Sequence, residues 1–336
     1  MSQFQTIPDK LSQVYALLKP DMDALENLVA SELVNNDTFV DEVVRYAFRL
    51  GGKRLRPALV FLAGHACGKV GEPHYLIATA IELTHTGTLL HDDILDGAAI
   101  RRHLATLNVR WDSNTALLAG DLLFTFAMQM ITRFDDINCY RIMSDAIQRT
   151  CRGELRQMGA RNRFDITEGE YLDILSDKTA ALIEVSCQLG ASESNAPPET
   201  VQAFRKYGHH VGMAFQIADD ILDLTGVEGE TGKTLGTDLI NRKATLPLIH
   251  YLHTAAPDDR EKMLNLVTDD ELGNGNSEAI VKETIKRLKE SGSIKEARKK
   301  AEQYVNRAIE QIPKNTGKSI KTALETIANF AISRKT

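Results

Sequence analysis

The pentapeptide Asp-Asp-Ile-Leu-Asp occurs twice in this chain, at residues 92–96 and again at residues 219–223. Each copy ends a proline-free stretch of roughly 15 residues whose apolar positions recur at helical spacing. Gly97 and the pair Thr225-Gly226 follow the two copies as helix stops. On a helix, the first and last aspartates of one copy lie about 40° apart around the axis and project from one face. The repeat therefore predicts two helices that each gather carboxylates at the carboxyl end.

Three carboxylates at that position repel one another and the negative end of the helix dipole unless cations bind them. Magnesium suits such an open triplet, because it is usually held by one or two protein carboxylates together with phosphates and water. The alternative is a solvated acidic helix end, since any single short motif has a high false-positive rate. Three other Asp pairs begin at residues 135, 258 and 269, and none has an aspartate four positions after its first member. The exact repetition of DDILD therefore favours two facing helices that hold metal ions and diphosphate between them.

Apolar residues elsewhere also follow helical rather than alternating spacing, as at Leu25, Leu28, Val29 and Leu33. We therefore predict an all-α fold. Gly, Pro, Asn and Ser cluster at short breaks, at residues 51–52, 68–73, 194–198, 273–277 and 313–317, and none of these breaks resembles a long interdomain linker. Because 43% of the 336 residues are hydrophobic, one large helical domain over residues 1–336 is the simplest organisation.

The net charge of −6 gives no global attraction to nucleic acid or anionic lipid, so neither is expected as a partner. The four cysteines lie far apart and form no CxxC pair, which disfavours a zinc site and a disulfide framework and fits a reducing compartment. No stretch has the pattern of a signal peptide, and none reaches the roughly 18 apolar residues needed to span a bilayer. We expect a cytoplasmic protein without a transmembrane segment.

Basic residues cluster at two places in the first third of the chain. The sequence GGKRLRP at residues 51–57 places Lys53, Arg54 and Arg56 in a turn that starts with glycine. Arginine can grip phosphate through two parallel hydrogen bonds and lysine adds a point charge, so this turn predicts an anion site. A solvated basic turn is the alternative. The pair Arg101-Arg102 could bind diphosphate or merely form salt bridges with the motif aspartates.

His85 lies two helical turns before Asp92, on the same face of the predicted helix. It could donate a hydrogen bond to a substrate phosphate, although a lone helical histidine is more often structural. Several further polar residues are individually ordinary, and only their combination is informative. They are Lys178, Thr179, Gln216, Lys233 and Lys243.

Taken in order, these motifs resemble those of the trans-isoprenyl diphosphate synthases of the medium- or long-chain type. Similar enzymes show GGKRLRP, a DDxxD followed by RR, a GExxQ segment, a Lys-Thr pair, FQxxDDxxD and GxDLxxxKxTLP. Every element is present here between about residue 50 and the carboxyl terminus, with GExxQ supplied by Gly153, Glu154 and Gln157. The resemblance implies an all-α bundle around a deep central cavity and a homodimer. It also implies magnesium-dependent ionisation, condensation and elimination, in which isopentenyl diphosphate elongates an allylic prenyl diphosphate to an all-trans polyprenyl diphosphate.

By the same resemblance, Asp92, Asp96 and Asp219 bind magnesium, with three ions expected once substrate is bound. The remaining motif aspartates, which assist directly or through water, are Asp93, Asp220 and Asp223, and Lys178 is counted with all six as catalytic. The residues expected to hold isopentenyl diphosphate are Lys53, Arg56, His85 and Arg102. Those expected to hold the allylic diphosphate are Arg101, Lys178, Thr179, Gln216, Lys233 and Lys243.

Two positions depart from the family pattern and leave local loop geometry open. His103 replaces the glycine that commonly follows the Arg pair, and Asn241-Arg242 stands where relatives often have Glu-Gly. Gly87 and Thr88 lie five and four positions before the first motif, where short-product relatives often carry an aromatic residue. These small residues leave room for a long product, which predicts a medium- or long-chain polyprenyl diphosphate. Alternatively, Gly87 only permits close helix packing.

Two other functions compete with this prediction. Terpene cyclases share the first acidic motif, but their second metal motif typically follows an Asn/Asp, Ser/Thr, Glu pattern instead of a second DDxxD. A noncatalytic subunit of a heteromeric synthase is the other alternative. Such subunits commonly lose motif aspartates, whereas this chain retains all six.

Overall fold

The computed structural model describes residues 9–134, 136–226, 235–269, 272 and 277–333. Within these ranges the chain is helical apart from short connections and one two-stranded hairpin, so the predicted all-α class is confirmed. The hairpin pairs β1 (Ile100–Arg101) with β2 (Leu104–Ala105).

The helices follow in chain order. They are α1 (Asp9–Leu17), α2 (Lys19–Glu32), α3 (Thr38–Arg49), α4 (Leu55–Cys67), α5 (Glu72–Leu95), α6 (Leu107–Arg110), α7 (Ser113–Ile131), α8 (Ile137–Gly159), α9 (Glu168–Leu175), a π-helix (Ser176–Ala180), α10 (Ala181–Ser192), α11 (Pro198–Thr225), α12 (Thr237–Ile240), α13 (Leu246–Thr254), α14 (Pro257–Thr268), α15 (Ser277–Glu290), α16 (Ser293–Glu310) and α17 (Lys318–Ser333).

The chain forms two compact units, and several helices contribute residues to both. Unit 1 comprises Met1–Ile147, Leu182–Gly208 and Gln311–Ile327, and unit 2 comprises Gln148–Ala181, His209–Glu310 and Ala328–Thr336. The first acidic copy belongs to unit 1 and the second to unit 2. The single-domain organisation expected from the sequence stays a prediction.

In unit 1, helix α5 packs along α7 and also contacts α2 and α4. Glycine makes the closest part of this packing possible, because a Cβ atom at Gly87 would lie 3.0 Å from the carbonyl oxygen of Gly120 on α7. A Cβ at Gly120 would in turn lie 2.3 Å from Nε2 of His91. These two glycines therefore bring the carboxyl half of α5 against α7.

In unit 2, glycine again permits a close backbone approach. A Cβ at Gly153 on α8 would lie 2.3 Å from the backbone nitrogen of Lys178, so no side chain fits there without displacing the π-helix. Helix α9 just before it starts with a capping box, in which Thr167 and Glu170 satisfy each other's backbone N–H groups. The beginning of the α9–π-helix segment is thus fixed by capping, and the π-helix is fixed by packing against α8.

The loop positions expected from the sequence are largely confirmed. Connections lie at residues 50–54, 68–71 and 193–197, and Pro313–Gly317 falls between α16 and α17. Of the break expected at 273–277, residues 273–276 lie outside the described residues and Ser277 begins α15.

One helix of the described part, α7, is long and apolar enough to cross a membrane by length and composition alone, although such a helix is weak evidence of a span. Of its most apolar window, 39% is buried within the structure. The absence of a transmembrane segment therefore stays a prediction.

Candidate active site

The first acidic copy lies where α5 ends. Asp96 is the C-cap, and Gly97 follows with a φ of +62°, the left-handed conformation that glycine adopts without strain. The backbone N–H of Gly97 donates to the carbonyl of Ile94 and that of Ala98 donates to the carbonyl of Asp93, which is the Schellman pattern. The predicted stop at Gly97 is confirmed, and Asp92 and Asp96 lie one turn apart at the helix end.

The middle aspartate of this copy is paired with an arginine. Asp93 is only 2% exposed, and its carboxylate accepts from Nε of Arg101 at 3.0 and 2.9 Å and lies 2.8 Å from Nη2. A buried carboxylate needs such a charged partner, because desolvation is otherwise costly. Arg101 thus forms a salt bridge with a motif aspartate, and its predicted contact with diphosphate stays a prediction.

Arg102 and His103 form the two-residue turn between β1 and β2. Both have positive φ, +53° and +63°, as in the type I′ turns that match the twist of a hairpin. The turn places Arg102 near the basic loop, the segment 51–56 that runs into the first turn of α4. Nη1 of Arg102 donates to the carbonyl of Gly51 at 2.7 Å. The sequence did not predict this hairpin.

The basic loop contains one structural arginine between two predicted ligands. Arg54 donates to Glu82 at 2.8 Å and to Glu26 at 3.1 Å, and its guanidinium lies 3.9 Å from the ring centre of Phe48. Arg56, by contrast, has a buried Nε with no hydrogen-bond partner among the residues that the structure describes. Burial lowers the pKa of Arg56 to about 10, partly opposed by the charge of Glu82.

The pKa of His85 depends on the positive charges around it. Burial and the positive charges of four arginines lower its pKa well below the ordinary value. The four are Arg56, Arg101, Arg102 and Arg54. At neutral pH the imidazole is therefore uncharged and can donate one hydrogen bond, while the arginines supply the positive charge.

The second acidic copy ends α11 and is organised around a buried aspartate. Asp220 accepts from the hydroxyl of Tyr171 at 2.6 Å and from the amide of Gln216 at 2.8 Å. Gln216 in turn accepts from the Thr179 hydroxyl at 2.8 Å. Burial, followed by the negative charges of Asp238 and Asp219, raises the pKa of Asp220 to about 8, although both hydrogen bonds oppose this shift.

The third aspartate of this copy supports the next segment of chain. Asp223 accepts from the backbone N–H groups of Thr237 and Asp238 at 3.1 and 3.0 Å, at the start of α12. Lys243 follows this helix, and its Nζ lies 3.7 Å from Asp238. The structure thus brings Lys243 to the same acidic group as Asp220. Lys233 lies outside the described residues.

Lys178 is presented by the π-helix. Its ammonium group donates to Gln157 at 2.7 Å and forms an ion pair with Glu154, both on α8. The GExxQ segment therefore acts as a unit, because its glycine admits the backbone of residue 178 and its two polar side chains hold the lysine. Single π-turns of this kind occur often at functional sites.

Comparison with known proteins identifies this constellation. Residues 37–287 match the polyprenyl synthetase family. The chain belongs to this family. It is 32% identical to octaprenyl diphosphate synthase of Escherichia coli, over 96% of this chain and 99% of the relative.

Solved structures agree with this assignment. A decaprenyl diphosphate synthase from Rhodobacter capsulatus superposes with a TM-score of 0.89 at 30% identity, covering 96% of this chain and 99% of that one. A polyprenyl synthase from Caulobacter crescentus, complexed with calcium and isoprenyl diphosphate, gives a TM-score of 0.88 at 28% identity, covering 97% and 98%. The predictions of a trans-isoprenyl diphosphate synthase, of its all-helical fold and of a prenyltransferase that elongates with isopentenyl diphosphate are confirmed.

Both departures from the family pattern fall where the backbone is left-handed. His103 has a φ of +63° and Arg242 a φ of +56°, a conformation that glycine, the residue that the resemblance implies at both positions, adopts without strain. Arg242 donates from Nη1 to the carbonyl of Val267 and from Nη2 to the carbonyl of Asp269. These bonds satisfy backbone acceptors at the end of α14 and help to hold Arg242 in its conformation.

The residues considered for product length lie on α5. A Cβ at Gly87 would lie 3.0 Å from the Gly120 carbonyl and 3.4 Å from the ring of Phe124, so the packing alternative has direct structural support. Thr88 donates to the carbonyl of His85 within the helix at 2.7 Å. A role of either residue in product length stays a prediction.

Sequence reasoning missed three residues that support this polyprenyl synthetase site. Glu82, which is 1% exposed, holds Arg54, Tyr171 holds Asp220, and Tyr15 donates to the backbone carbonyl of Lys53. Only Glu82 carried a signal, since a charged residue in the middle of an apolar helical face needs a buried partner.

Proposed function

We propose that the whole chain acts as one synthase that elongates an allylic prenyl diphosphate with isopentenyl diphosphate to a medium- or long-chain all-trans product. The observation that carries this proposal is the buried Nε of Arg56, which has no hydrogen-bond partner among the described residues and lies in a region where arginine charges also act on His85. Arg54 and Arg101 are paired with carboxylates, so the positive charge that suits a multiply charged anion comes from Arg56 and Arg102. The neutral imidazole among the arginines suits a hydrogen bond to that anion.

Isopentenyl diphosphate is assigned to the basic loop and its neighbours. The buried Nε of Arg56 has no partner in the described part of the chain, and a phosphate oxygen would satisfy it. Arg102 is oriented by its bond to Gly51. The full set in this assignment is Lys53, Arg56, His85 and Arg102.

The allylic diphosphate is assigned to a second set of basic and polar residues. Thr179 and Asp220 fix the orientation of Gln216 from two sides, while Glu154 and Gln157 fix Lys178. Preorganised donors of this kind stabilise charge that develops on a leaving diphosphate. The set is Arg101, Lys178, Thr179, Gln216, Lys233 and Lys243.

Magnesium is assigned to Asp92, Asp96 and Asp219, with three ions expected in the substrate complex. Among the described residues no three His, Cys, Asp or Glu side chains converge on one metal position, and magnesium held largely by phosphate oxygens and water needs no such cluster. The carboxylate donors and adjacent arginines fit a metal diphosphate, and a relative was crystallised with calcium and isoprenyl diphosphate. When bound, the ions would neutralise the charge that grows on the leaving group.

No side-chain nucleophile is needed in this reaction. The allylic carbon–oxygen bond breaks, the double bond of isopentenyl diphosphate attacks the allylic carbon, and a proton is lost to the departing diphosphate. The arginines, Lys178 and Gln216 hold charge and orientation throughout. Exclusion of water from the site would protect the cation from quenching.

A homodimer in the cytoplasm completes this proposal. Helix α7 is strongly apolar, yet Leu117 and Leu118 on it are 47% and 65% exposed. A second copy of the chain covering this face would bury these side chains, with a gain of about 25 cal/mol per Å² of apolar surface. Light scattering after size exclusion should give twice the chain mass, and Leu118→Glu should shift it toward the monomer.

Product chromatography with several allylic primers tests the proposed reaction. Purified protein with magnesium should extend farnesyl or geranylgeranyl diphosphate by five-carbon units. No elongation of any primer would overturn the proposal, and release of a cyclic hydrocarbon from a prenyl diphosphate alone would favour a terpene cyclase. Turnover that appears only after a partner chain is added would favour a heteromeric synthase.

Gly87→Phe tests the assignment of product length. The ring would displace Phe124 and reach beyond it, so we expect a shorter product together with a lower unfolding temperature. A destabilised enzyme with an unchanged product distribution would leave Gly87 with a packing role only.

A further inference from the structure

The first two helices of the chain precede the residues that the family model matches, which begin at residue 37. They are nonetheless part of the core of unit 1, because Leu11 on α1 and Leu25 on α2 are fully buried, as is Leu18 between them. Buried apolar anchors of this kind hold a helix in a defined position. A polar side chain on these helices can therefore act as a fixed support for its neighbours.

Two polar contacts run from these helices to the basic loop. The hydroxyl of Tyr15 on α1 donates to the backbone carbonyl of Lys53. The carboxylate of Glu26 on α2 accepts from Nε of Arg54 at 3.1 Å. Both contacts end on residues within three positions of Arg56, which lies in the first turn of α4.

The loop conformation needs such support. Arg54 has φ +53° and ψ +34°, a left-handed conformation that costs a non-glycine residue on the order of 1 kcal/mol. Arg54 is also the N-cap of α4 but makes no side-chain capping bond there. The peptide between Lys53 and Arg54 therefore sets two directions at once, that of the Lys53 side chain and that of the first turn carrying Arg56. The Tyr15 hydroxyl holds the carbonyl of this peptide.

We propose that Tyr15 is a positioning residue for isopentenyl diphosphate, acting through the Lys53 carbonyl to orient Lys53 and Arg56. The proposal rests on the proposed assignment of those two residues to that substrate. It extends the site to a helix outside the family match, and it assigns Glu26 a weaker supporting part through Arg54. Because Tyr15 touches no substrate, its effect is confined to the substrate that the loop holds.

Tyr15→Phe isolates this effect, since the ring stays and only the hydroxyl is lost. We expect the KM for isopentenyl diphosphate to rise about three- to tenfold, the equivalent of one net hydrogen bond. The KM for the allylic primer and kcat at saturation should stay within about twofold of the wild type. A general loss of stability would change all three constants or the active fraction, and would not single out one substrate.

Tyr75→Phe is a matched control. The Tyr75 hydroxyl donates to Asp21 on α2 at 3.2 Å and, among the described residues, makes no hydrogen bond to the basic loop. Tyr75→Phe also removes one phenolic hydroxyl from unit 1, and it should leave both KM values unchanged. Glu26→Gln is the second variant, because Glu26 is 33% exposed and its loss should leave the fold intact, with a smaller rise in the same KM.

The assay separates the possible failures. A wild-type enzyme that elongates, with both KM values unchanged in folded Tyr15→Phe, would overturn the role of Tyr15 alone. An equal rise in both KM values would also overturn it, since the effect would not be selective. If the wild type elongates no primer, the proposed function fails first, and the positioning role fails with it.

Discussion

The two copies of DDILD have the same sequence and the same place at the end of a long helix, yet their central aspartates are stabilised differently. Asp93 is paired with the guanidinium of Arg101, whereas Asp220 receives hydrogen bonds from the uncharged groups of Tyr171 and Gln216. A charged partner compensates for the burial of a carboxylate, but neutral donors do so only in part. The pKa of Asp220 is consequently raised to about 8.

The last aspartates differ as well. Asp96 is an exposed C-cap at the negative end of α5, whereas the Asp223 carboxylate accepts two backbone N–H groups of the next segment. The first copy therefore presents its last carboxylate to solvent, and the second copy uses its last carboxylate to order the chain that leads to Lys243. A repeated pentapeptide fixes where carboxylates lie, and the surrounding fold decides what each of them does.

The largest expected effect is one that the two copies share. Asp92→Ala and Asp219→Ala should each reduce kcat by about a thousandfold or more, since metal ligation contributes several kcal/mol to the transition state. Circular dichroism should show an unchanged helical fold. Asp258→Ala, at an Asp pair outside the motifs, should behave like the wild type. A near-normal rate for either motif variant would break the functional equivalence of the copies.

Removing the partner of each central aspartate should lower the free energy of unfolding by different amounts in the two copies. Arg101→Met leaves the Asp93 carboxylate buried without its cation and should lower the free energy of unfolding by about 3 to 5 kcal/mol. Tyr171→Phe removes one hydrogen bond from Asp220 and should cost only about 1 kcal/mol. Urea unfolding in the presence of a chelator measures both values. Equal losses would contradict the distinction drawn between charged and neutral partners.

Replacing the central aspartates themselves should give effects of opposite sign. The folded-state pKa of Asp220 lies above its ordinary value of 3.8, so the folded protein binds a proton that the unfolded chain releases between these pH values. Its contribution to stability is complete below pH 3.8 and is lost as the pH rises through about 8. Asp220→Asn removes that loss, and the Tyr171 hydroxyl can turn to accept from the new amide.

At pH 8 without magnesium, Asp220→Asn should therefore be more stable than the wild type, and its advantage should shrink toward pH 5. Asp93→Asn should be less stable at pH 8, because Arg101 loses its counter-charge. The expected differences are on the order of 2 kcal/mol. Thermal unfolding across this pH range tests both, and a destabilised Asp220→Asn at pH 8 would show that its carboxylate is well compensated after all.

The smallest expected effect concerns the hydrogen-bond chain of the second copy. Thr179→Val removes the donor that orients Gln216 and should raise the KM for the allylic primer about fivefold, with little change for isopentenyl diphosphate. Thr225→Val is the matched control, because its hydroxyl bonds only within α11, to the carbonyl of Ile221 at 2.9 Å. Similar kinetics for the two variants would exclude a positioning role for Thr179.

Local signals in the sequence predicted the helices that carry both motifs. Gly97 and Gly226 follow the helix ends where expected, because a helix stop depends on a few neighbouring residues. The pairing of Arg101 with Asp93 was one of two alternatives, since eight residues of separation leave both possible. Lys178, Thr179 and Gln216 came only from the resemblance.

The rest depended on tertiary structure that no local pattern encodes. Tyr171 and Asp220 are 49 residues apart, and Tyr15 and Lys53 are 38 apart. Nothing in either tyrosine's neighbourhood distinguishes it from a core residue. The hairpin at residues 100–105 was missed because Arg102 and His103 lack the glycine or asparagine that usually marks a two-residue turn.

The π-helix at Ser176–Ala180 has a consequence for changes in chain length. A π-turn contains one residue more than the α-helical turn it replaces, so a single deletion there could be absorbed as ordinary α-helix. The following residues would then rotate by about 100° relative to those before them. The hydrogen bond from Lys178 to Gln157 would be lost, and Gly153 would no longer face the backbone nitrogen of Lys178. The extra residue of the π-turn thus orients Lys178. A homologue that lacks this extra residue would need another way to supply the positive charge.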